Sequence, residues 1–276
     1  MTNSAARSEI LASWLRCSRC GADLEPHGAL SLACENGHHF DANRRGYLNT
    51  LDASRGIVGD TRPILVARDE FLQRGHYEPI ADALADALPG GPSPIAILDS
   101  GCGTGYYLRR VLEARGNAEG LAFDASAAAV ALAVAASGSP GLVGDVWREL
   151  AIRNQRADVV MCVFAPRNPQ EFARVLRPGG LLLVVTPSPA HLRELRAAGR
   201  LLGMQDDKLG VLDAALGESF TLARRESLEY TVRLSPTEVE LVAAMGPSGH
   251  HTLNAAEPTG DTDVTIAVDV SVYQKV

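Results

Sequence analysis

A chain of 276 residues with 46% hydrophobic residues has room for one large domain and a small one. A formal net charge of −7 speaks against non-specific coating of nucleic acid, although a local basic strip would still serve an RNA enzyme. There is no apolar run long enough to span a bilayer, and the opening M-T-N-S-A-A-R-S-E carries no apolar export segment, so a cytoplasmic protein without a membrane span is expected.

Residues 1–16 read as a short lead-in, with Ile10, Leu11, Trp14 and Leu15 giving one apolar face. Three of the five cysteines then crowd into 17–34, where disulfides are not the natural reading without an export signal. Cys17, Cys20, Cys34 and His38 are spaced C-x2-C-x13-C-x3-H. Zinc takes four tetrahedral thiolate or imidazole ligands, and a C-x2-C knuckle supplies two at once, so the set predicts a closed structural site. His39 is the alternative fourth ligand, and a group of buried free thiols is the alternative to metal. L-S-L-A before Cys34 reads as one strand of a ribbon, and so small a module would depend on its metal to fold.

Residues 41–75 are rich in Arg, Gly and Asp and read as a linker or a substrate-contacting loop. Arg44, Arg45, Arg55 and Arg62 are the nearest thing to a basic strip. The only lysines are Lys208 and Lys275, and arginine suits planar contacts to phosphate and guanine edges; a biased genomic base composition accounts for the same excess. A helix is predicted from Pro63 through Leu72 and another from Ile80 to Leu88, before the break P-G-G-P-S-P at 89–94.

Strand and helix patterns then alternate: strands at 95–99, 119–124, 141–145, 158–164 and 180–186, and helices at 105–115, 126–136, 169–176 and 189–202. This rhythm predicts a doubly wound parallel sheet. Strands at 227–234 and 264–273, joined by a helix from Pro236 to Met245, would add an antiparallel edge.

The first strand runs into D-S-G-C-G-T-G, where Gly101, Gly103 and Gly105 alternate and a helix follows. A strand ending in a glycine loop that opens a helix cradles nucleotides, because the backbone can approach where a Cβ would collide. The spacing is G-x-G-x-G, not the dinucleotide G-x-G-x-x-G, and Asp99 directly precedes it. An acid there suits a ligand with an amino group and repels a pyrophosphate, so S-adenosylmethionine is expected and not NAD. Asp124, 19 residues past Gly105, stands where a carboxylate can take both ribose hydroxyls, with an exposed N-cap as the alternative. Asp145 is positioned to accept from an adenine amino group. Cys102 and Cys162 read as small, inert core residues. The loop F-A-P-R-N-P (164–169) leaves the fourth strand at the ligand crevice; Phe164 offers a stacking face, and Arg167 and Asn168 can reach a base edge, with simple loop packing as the alternative.

Assembled, these pieces resemble the 23S ribosomal RNA (guanine-N1)-methyltransferase family, above all its actinobacterial branch conferring resistance to tylosin- and mycinamicin-type macrolides. The resemblance covers almost the whole chain, through the cysteine spacing, R-x-G-Y-L-N (44–49), A-R-x-x-F-L-x-x-G-H-Y-x-P (67–79), D-x-G-C-G-x-G-Y-Y (99–107), F-A-P-R-N-P, L-R-P-G-G (176–180), V-T-P-x-x-x-H-L-x-E-L (185–195) and A-M-G-P-S (244–248). It implies a Rossmann-like class I methyltransferase sheet, mostly parallel with an antiparallel edge strand, preceded by a small zinc-binding β-ribbon. The expected division is a zinc module at 1–42, helices at the cleft over 43–92 and the methyltransferase domain at 93–276. It further implies that Tyr77 and His191 touch the cofactor, that Gly103 and Thr104 belong to its loop, and that the zinc module helps grip an RNA hairpin. Family members can dimerise. Without it, Tyr77 would read as a packing residue and His191 as a surface residue at a helix start.

The implied reaction is an in-line attack of guanine N1 on the sulfonium methyl, with the base in a loop or flipped out. No general base stands out; His76, Asn168 and His251 are candidates. Two other readings remain at this stage: a methyltransferase acting on a small natural product, and a non-catalytic module that binds cofactor or RNA.

Overall fold

Side chains along the central strands alternate between two apolar layers, so the sheet must be covered on both faces. In strand β5 (Ile95–Ser100), Ile95 and Ile97 enter one layer, whereas Ala96 and Leu98 enter the other. The computed structural model describes residues 4–51, 59–202, 208–246 and 260–276.

Before β5 come helix α1 (Ser4–Trp14), the short strands β1 (Glu25–Pro26), β2 (Ser31–Ala33), β3 (His39–Asp41) and β4 (Tyr47–Asn49), and helices α2 (Arg62–Gln73) and α3 (Glu78–Asp86). After it come α4 (Tyr106–Arg115), β6 (Ala118–Asp124), α5 (Ala127–Ser137), β7 (Gly141–Val143), β8 (Ala157–Val163), α6 (Pro169–Val175) and β9 (Leu176–Pro187). The chain closes with α7 (Arg193–Ala197), α8 (Lys208–Leu216), β10 (Phe220–Leu234), α9 (Pro236–Ala244) and β11 (Thr262–Lys275).

Eight strands form one sheet in the order β10-β11-β9-β8-β5-β6-β7-β4. Pairings from β9 through to β4 are parallel, and β11 and β10 run antiparallel at one edge, as the sequence pattern predicted. The order reverses between β5 and β8, so their carboxyl ends open the crevice where such sheets bind ligands.

Helices α2, α3, α4, α5 and α9 cover one face. The opposite face is covered by α6, α8 and the N-terminal module. Leu11, Trp14, Leu15, Cys17, Leu24, Leu32 and Cys34 join Leu98, Leu121 and Val160 in one cluster. The lead-in at 1–16 is therefore a core helix over its described part, with Trp14 fully buried and Arg156 stacked on its ring at 4.1 Å. Arg153 fastens the module by donating to the carbonyls of Leu15 (3.1 Å) and Leu24 (2.8 Å).

Several elements depart from the sequence reading. The ribbon has three strands, ordered β1-β2-β3, and the L-S-L-A segment read as one strand of it supplies the central β2. The stretch read as a linker contains β4, which pairs in parallel with β7 (Leu48 opposite Leu142) and extends the main sheet. The helix predicted over 189–202 shrinks to the five residues of α7. Its start is blocked because Leu192 adopts φ +56° and gives its amide to Thr265 O (2.7 Å). Gly199, at φ +70°, then turns the chain away. β10 begins at Phe220, before the predicted start at 227.

Candidate active site

The loop after β5 is tied down by its own backbone. Gly101 N and Cys102 N both donate to Phe123 O (2.8 and 3.0 Å), and Gly105 N to Cys102 O (2.8 Å). A Cβ on Gly101 would stand 2.3 Å from Ala165 Cβ, and one on Gly105 would stand 2.5 Å from Ala133 Cα; both residues hold positive φ. Only glycine fits either position.

Acids surround this loop. Asp124, at the end of β6, accepts from Gly103 N (3.1 Å) and Ser126 N (2.8 Å). Burial raises its pKa, and those two bonds oppose the rise. Asp99 is 2% exposed, and burial followed by the charge of Asp124 pushes it up to about 7. Such a pair is poised for a cationic ligand group. Thr104 Oγ1 is buried with no hydrogen-bond partner among the described residues. Asp145 lies just past β7, with its carboxylate accepting from Trp147 N (2.9 Å). Cys102 and Cys162 are buried, and burial pushes the Cys162 thiol up to about 12.

Across the crevice, Tyr77, Phe164 and His191 form an aromatic group. Phe164 lies parallel to the His191 ring (centroids 6.0 Å apart, 24°), and Tyr77 lies 6.3 Å from Phe164. Ala267 N donates to His191 Nδ1 (3.2 Å), which places the proton of the neutral ring on Nε2, facing the Tyr77 hydroxyl oxygen at 3.3 Å. Both residues are buried: Tyr77 packs in the core against Phe71, as its local sequence suggested, whereas His191 is not the surface residue its position at a helix start implied. Glu194 holds this turn on β11 by accepting from Thr265 N (2.9 Å) and Thr265 Oγ1 (2.7 Å). Burial works against the charge of Glu194, yet those bonds outweigh it and hold the carboxyl down at about 2.

Phe164 is 41% exposed and holds φ +54°, a conformation that costs energy for a bulky residue and clusters at working sites. Its neighbours in the loop have separate duties. Arg167 is half-buried and has no hydrogen bond or ion pair among the described residues. Asn168 caps α6 by accepting from Glu171 N (3.3 Å) and donates to Val146 O (2.8 Å), so its amide is engaged within the protein. His76 is likewise engaged, with Nε2 at 2.8 Å from Glu238 Oε1. His251 and Arg55 lie outside the described residues.

A region matching a family described as "methyltransferase domain" spans residues 97–180, from β5 into β9. Over 269 residues the chain is 41% identical to the 23S rRNA (guanine(748)-N(1))-methyltransferase of Streptomyces fradiae, covering 94% of this chain and 96% of the relative. The chain belongs to the 23S rRNA (guanine-N1)-methyltransferase family.

A second member, from Micromonospora griseorubida, is 37% identical over 95% of this methyltransferase and 97% of its own length. Among solved structures, a chain from the Haloferax volcanii complex of the Trm112 methyltransferase activator with a methyltransferase aligns at TM-score 0.53 and 18% identity. That alignment covers 79% of this methyltransferase and 99% of the other chain, and it shows a shared fold.

Between residues 17 and 38 of the methyltransferase, Cys17, Cys20, Cys34 and His38 bring their ligand atoms within 4.8 Å of one another. Bonds of about 2.3 Å to sulfur and about 2.0 Å to nitrogen around a tetrahedral ion give edges of about 3.8 Å between sulfurs and about 3.5 Å from sulfur to nitrogen. Cys20 and Cys34 sulfurs are 3.8 Å apart, and His38 Nδ1 is 3.4 Å from Cys17 Sγ and 3.5 Å from Cys34 Sγ. This donor set fits a closed metal site. His38, and not His39, joins the sulfurs; His39 lies in β3 with its ring against His27.

Sequence reasoning missed two residues beside the glycine loop, Arg68 and Asp60, because each comes from a segment remote in the chain. Arg68 follows Ala67 in the motif at 67–79, which hints at a role without naming one.

Proposed function

We propose that this methyltransferase moves a methyl group from S-adenosylmethionine to N1 of a guanine in a hairpin loop of 23S rRNA. The observation that carries the reading is the aromatic group of Tyr77, Phe164 and His191 facing an acid-lined glycine loop, in a chain similar to rRNA methyltransferases over nearly its whole length.

When bound, S-adenosylmethionine supplies an electrophilic methyl group on a sulfonium. Gly101, Gly103 and Thr104 form its cradle, and Asp99 faces its cationic end. Asp124 takes the ribose hydroxyls and Asp145 the adenine amino group. Because His191 donates to Tyr77, the hydroxyl proton of Tyr77 remains for the ligand. Phe164 stacks on the target guanine, worth about 1–3 kcal/mol for an aromatic–base pair. Arg167 reaches guanine O6 and stabilises the enolate that forms as N1 gives its proton to solvent water. Asn168 serves the same loop from behind, by holding it to Val146.

In the N-terminal module, Cys17, Cys20, Cys34 and His38 hold a structural zinc ion. The Asn36 amide donates to Cys20 Sγ (3.3 Å) and heads the causes holding that thiol down to about 6, toward the thiolate a metal needs. Exposed Arg44 and Arg45, between the ribbon and β4, are the positions from which the module meets RNA phosphate, and RNA of this kind puts the enzyme in the cytoplasm.

The test is primer extension on unmodified 23S rRNA after incubation with protein and labelled S-adenosylmethionine. An N1-methyl group blocks pairing, so a new stop at one guanine, with label in the RNA, is expected. Transfer to a small molecule with no RNA stop would favour a natural-product substrate. Cofactor binding with no transfer to either would leave a binding module.

A further inference from the structure

The crevice holds a surplus of carboxylates, yet the expected ligand is a zwitterion at its amino-acid end and brings a carboxylate of its own. One cation lies directly on the glycine loop. Arg68, on α2, places Nη1 3.4 Å from where a Cβ on Gly103 would stand. Its Nη2 donates to Met245 O at the end of α9 (2.6 Å), which aims the guanidinium. Its present anionic partner is Asp60, paired through Nη1. Asp60 is held in turn by its own carbonyl, which accepts from Ser126 Oγ at the start of α5 (2.9 Å). Arg68 is one quarter exposed and Asp60 somewhat more, so the pair lies at the mouth of the crevice and a ligand can reach it.

We propose that Arg68 binds the carboxylate of the methyl donor and that Asp60 occupies this anion position until the donor arrives. This inference rests on the glycine loop being the S-adenosylmethionine site. A guanidinium offers a planar fork matched to a carboxylate, and a free ligand carboxylate competes directly with a tethered one. Asp60 therefore weakens donor binding while it neutralises Arg68 in the empty site. The exchange also links occupancy of the cleft to the segment that leads into α2, which carries Arg62 toward solvent.

The test is calorimetric titration with two probes, S-adenosylhomocysteine and 5′-methylthioadenosine, which share the nucleoside and thioether but differ in the amino-acid end. Arg68→Met is expected to weaken S-adenosylhomocysteine by about 10–100-fold, the range of a charge-assisted pair, and to leave methylthioadenosine within about 3-fold. Arg68→Lys should restore part of the loss. Asp60→Asn is expected to act in the opposite direction, tightening S-adenosylhomocysteine severalfold with no effect on methylthioadenosine. It also decides the matter should the Arg68 variants not fold. Equal losses for both probes, or no gain from Asp60→Asn, would overturn the assignment of this pair while the cofactor site stands. Failure of the unaltered protein to bind S-adenosylhomocysteine would overturn the cofactor reading together with it.

Discussion

Replacing Gly101 by alanine tests how the cofactor loop and the substrate rim are packed together. Gly101 sits at φ +84°, and its added Cβ would stand 2.3 Å from Ala165 Cβ, in the loop that presents Phe164. The left-handed backbone costs about 1–2 kcal/mol for an L residue, and overpacking adds about 1–3 kcal/mol. Gly101→Ala should therefore destabilise the protein by about 2–5 kcal/mol. The two contributions separate in a double-mutant cycle, because Ala165→Gly removes the colliding methyl and leaves φ untouched. The double variant should recover about 1–3 kcal/mol and retain a deficit of about 1–2 kcal/mol. Gly103→Ala is the control: φ is +50°, and the nearest atom, Arg68 Nη1, lies at 3.4 Å, so the backbone cost dominates. The assay is urea unfolding, read as shifts in midpoint at constant slope. Strictly additive effects of Gly101→Ala and Ala165→Gly would refute the reasoning, since they would mean that the two loops do not meet.

Four further outcomes follow from the same geometry. Asp99 has a folded pKa of about 7 against about 3.9 unfolded, so its contribution is full below about pH 4 and is lost as pH rises through 7. Stability of Asp99→Asn relative to wild type should thus rise between about pH 4 and about pH 7 and level off above, and parallel pH profiles would refute this. Phe164→Ala should leave S-adenosylhomocysteine binding nearly unchanged and lower kcat/KM on RNA by about 10–100-fold, the worth of one base stack. Arg153→Ala deletes donors to the carbonyls of Leu15 and Leu24 and should cost about 2–3 kcal/mol, with limited proteolysis cutting first between 15 and 25. Chelating the metal should raise hydrogen exchange in the ribbon and also in β6, because Cys17 and Cys34 share a cluster with Leu121; exchange confined to the ribbon would contradict that shared core.

What the sequence disclosed was what local patterning controls. Continuous apolar runs marked β5, β8 and β9, and the glycine spacing marked the turn at 101–105, since both depend on near neighbours. The cysteine spacing likewise predicted a ligand set that the fold closes to within 4.8 Å. Contacts between distant segments were hidden. Leu48 in β4 looked like part of a polar linker because three residues give no period, and its partner Leu142 is far along the chain. The turn at His191 scored as helix because A-H-L-R-E-L-R-A is helix-favouring, and only the bond from Leu192 N to Thr265 O shows why it bends. Asn168 looked free to meet a base, whereas its amide is spent on Val146 and the start of α6.

The place of β4 changes how the N-terminal module relates to catalysis. Thr50, one residue past β4, donates from both its amide (2.9 Å) and its hydroxyl (2.8 Å) to Val143 O at the end of β7. The residue just past that strand, Gly144, donates to Asp124 O (3.1 Å), and Asp145 follows it. The exit from β4, the acid assigned to the ribose and the acid assigned to the adenine are thus joined by a run of backbone bonds, to which the Thr50 hydroxyl adds a side-chain bond. An RNA held by the ribbon would be referenced to the same rigid strand ends as the donor, which in-line transfer requires, because a misplacement of about 1 Å costs about 100-fold in rate. The module is then better regarded as part of the scaffold that sets the distance between donor and base than as a tethered accessory that only raises affinity.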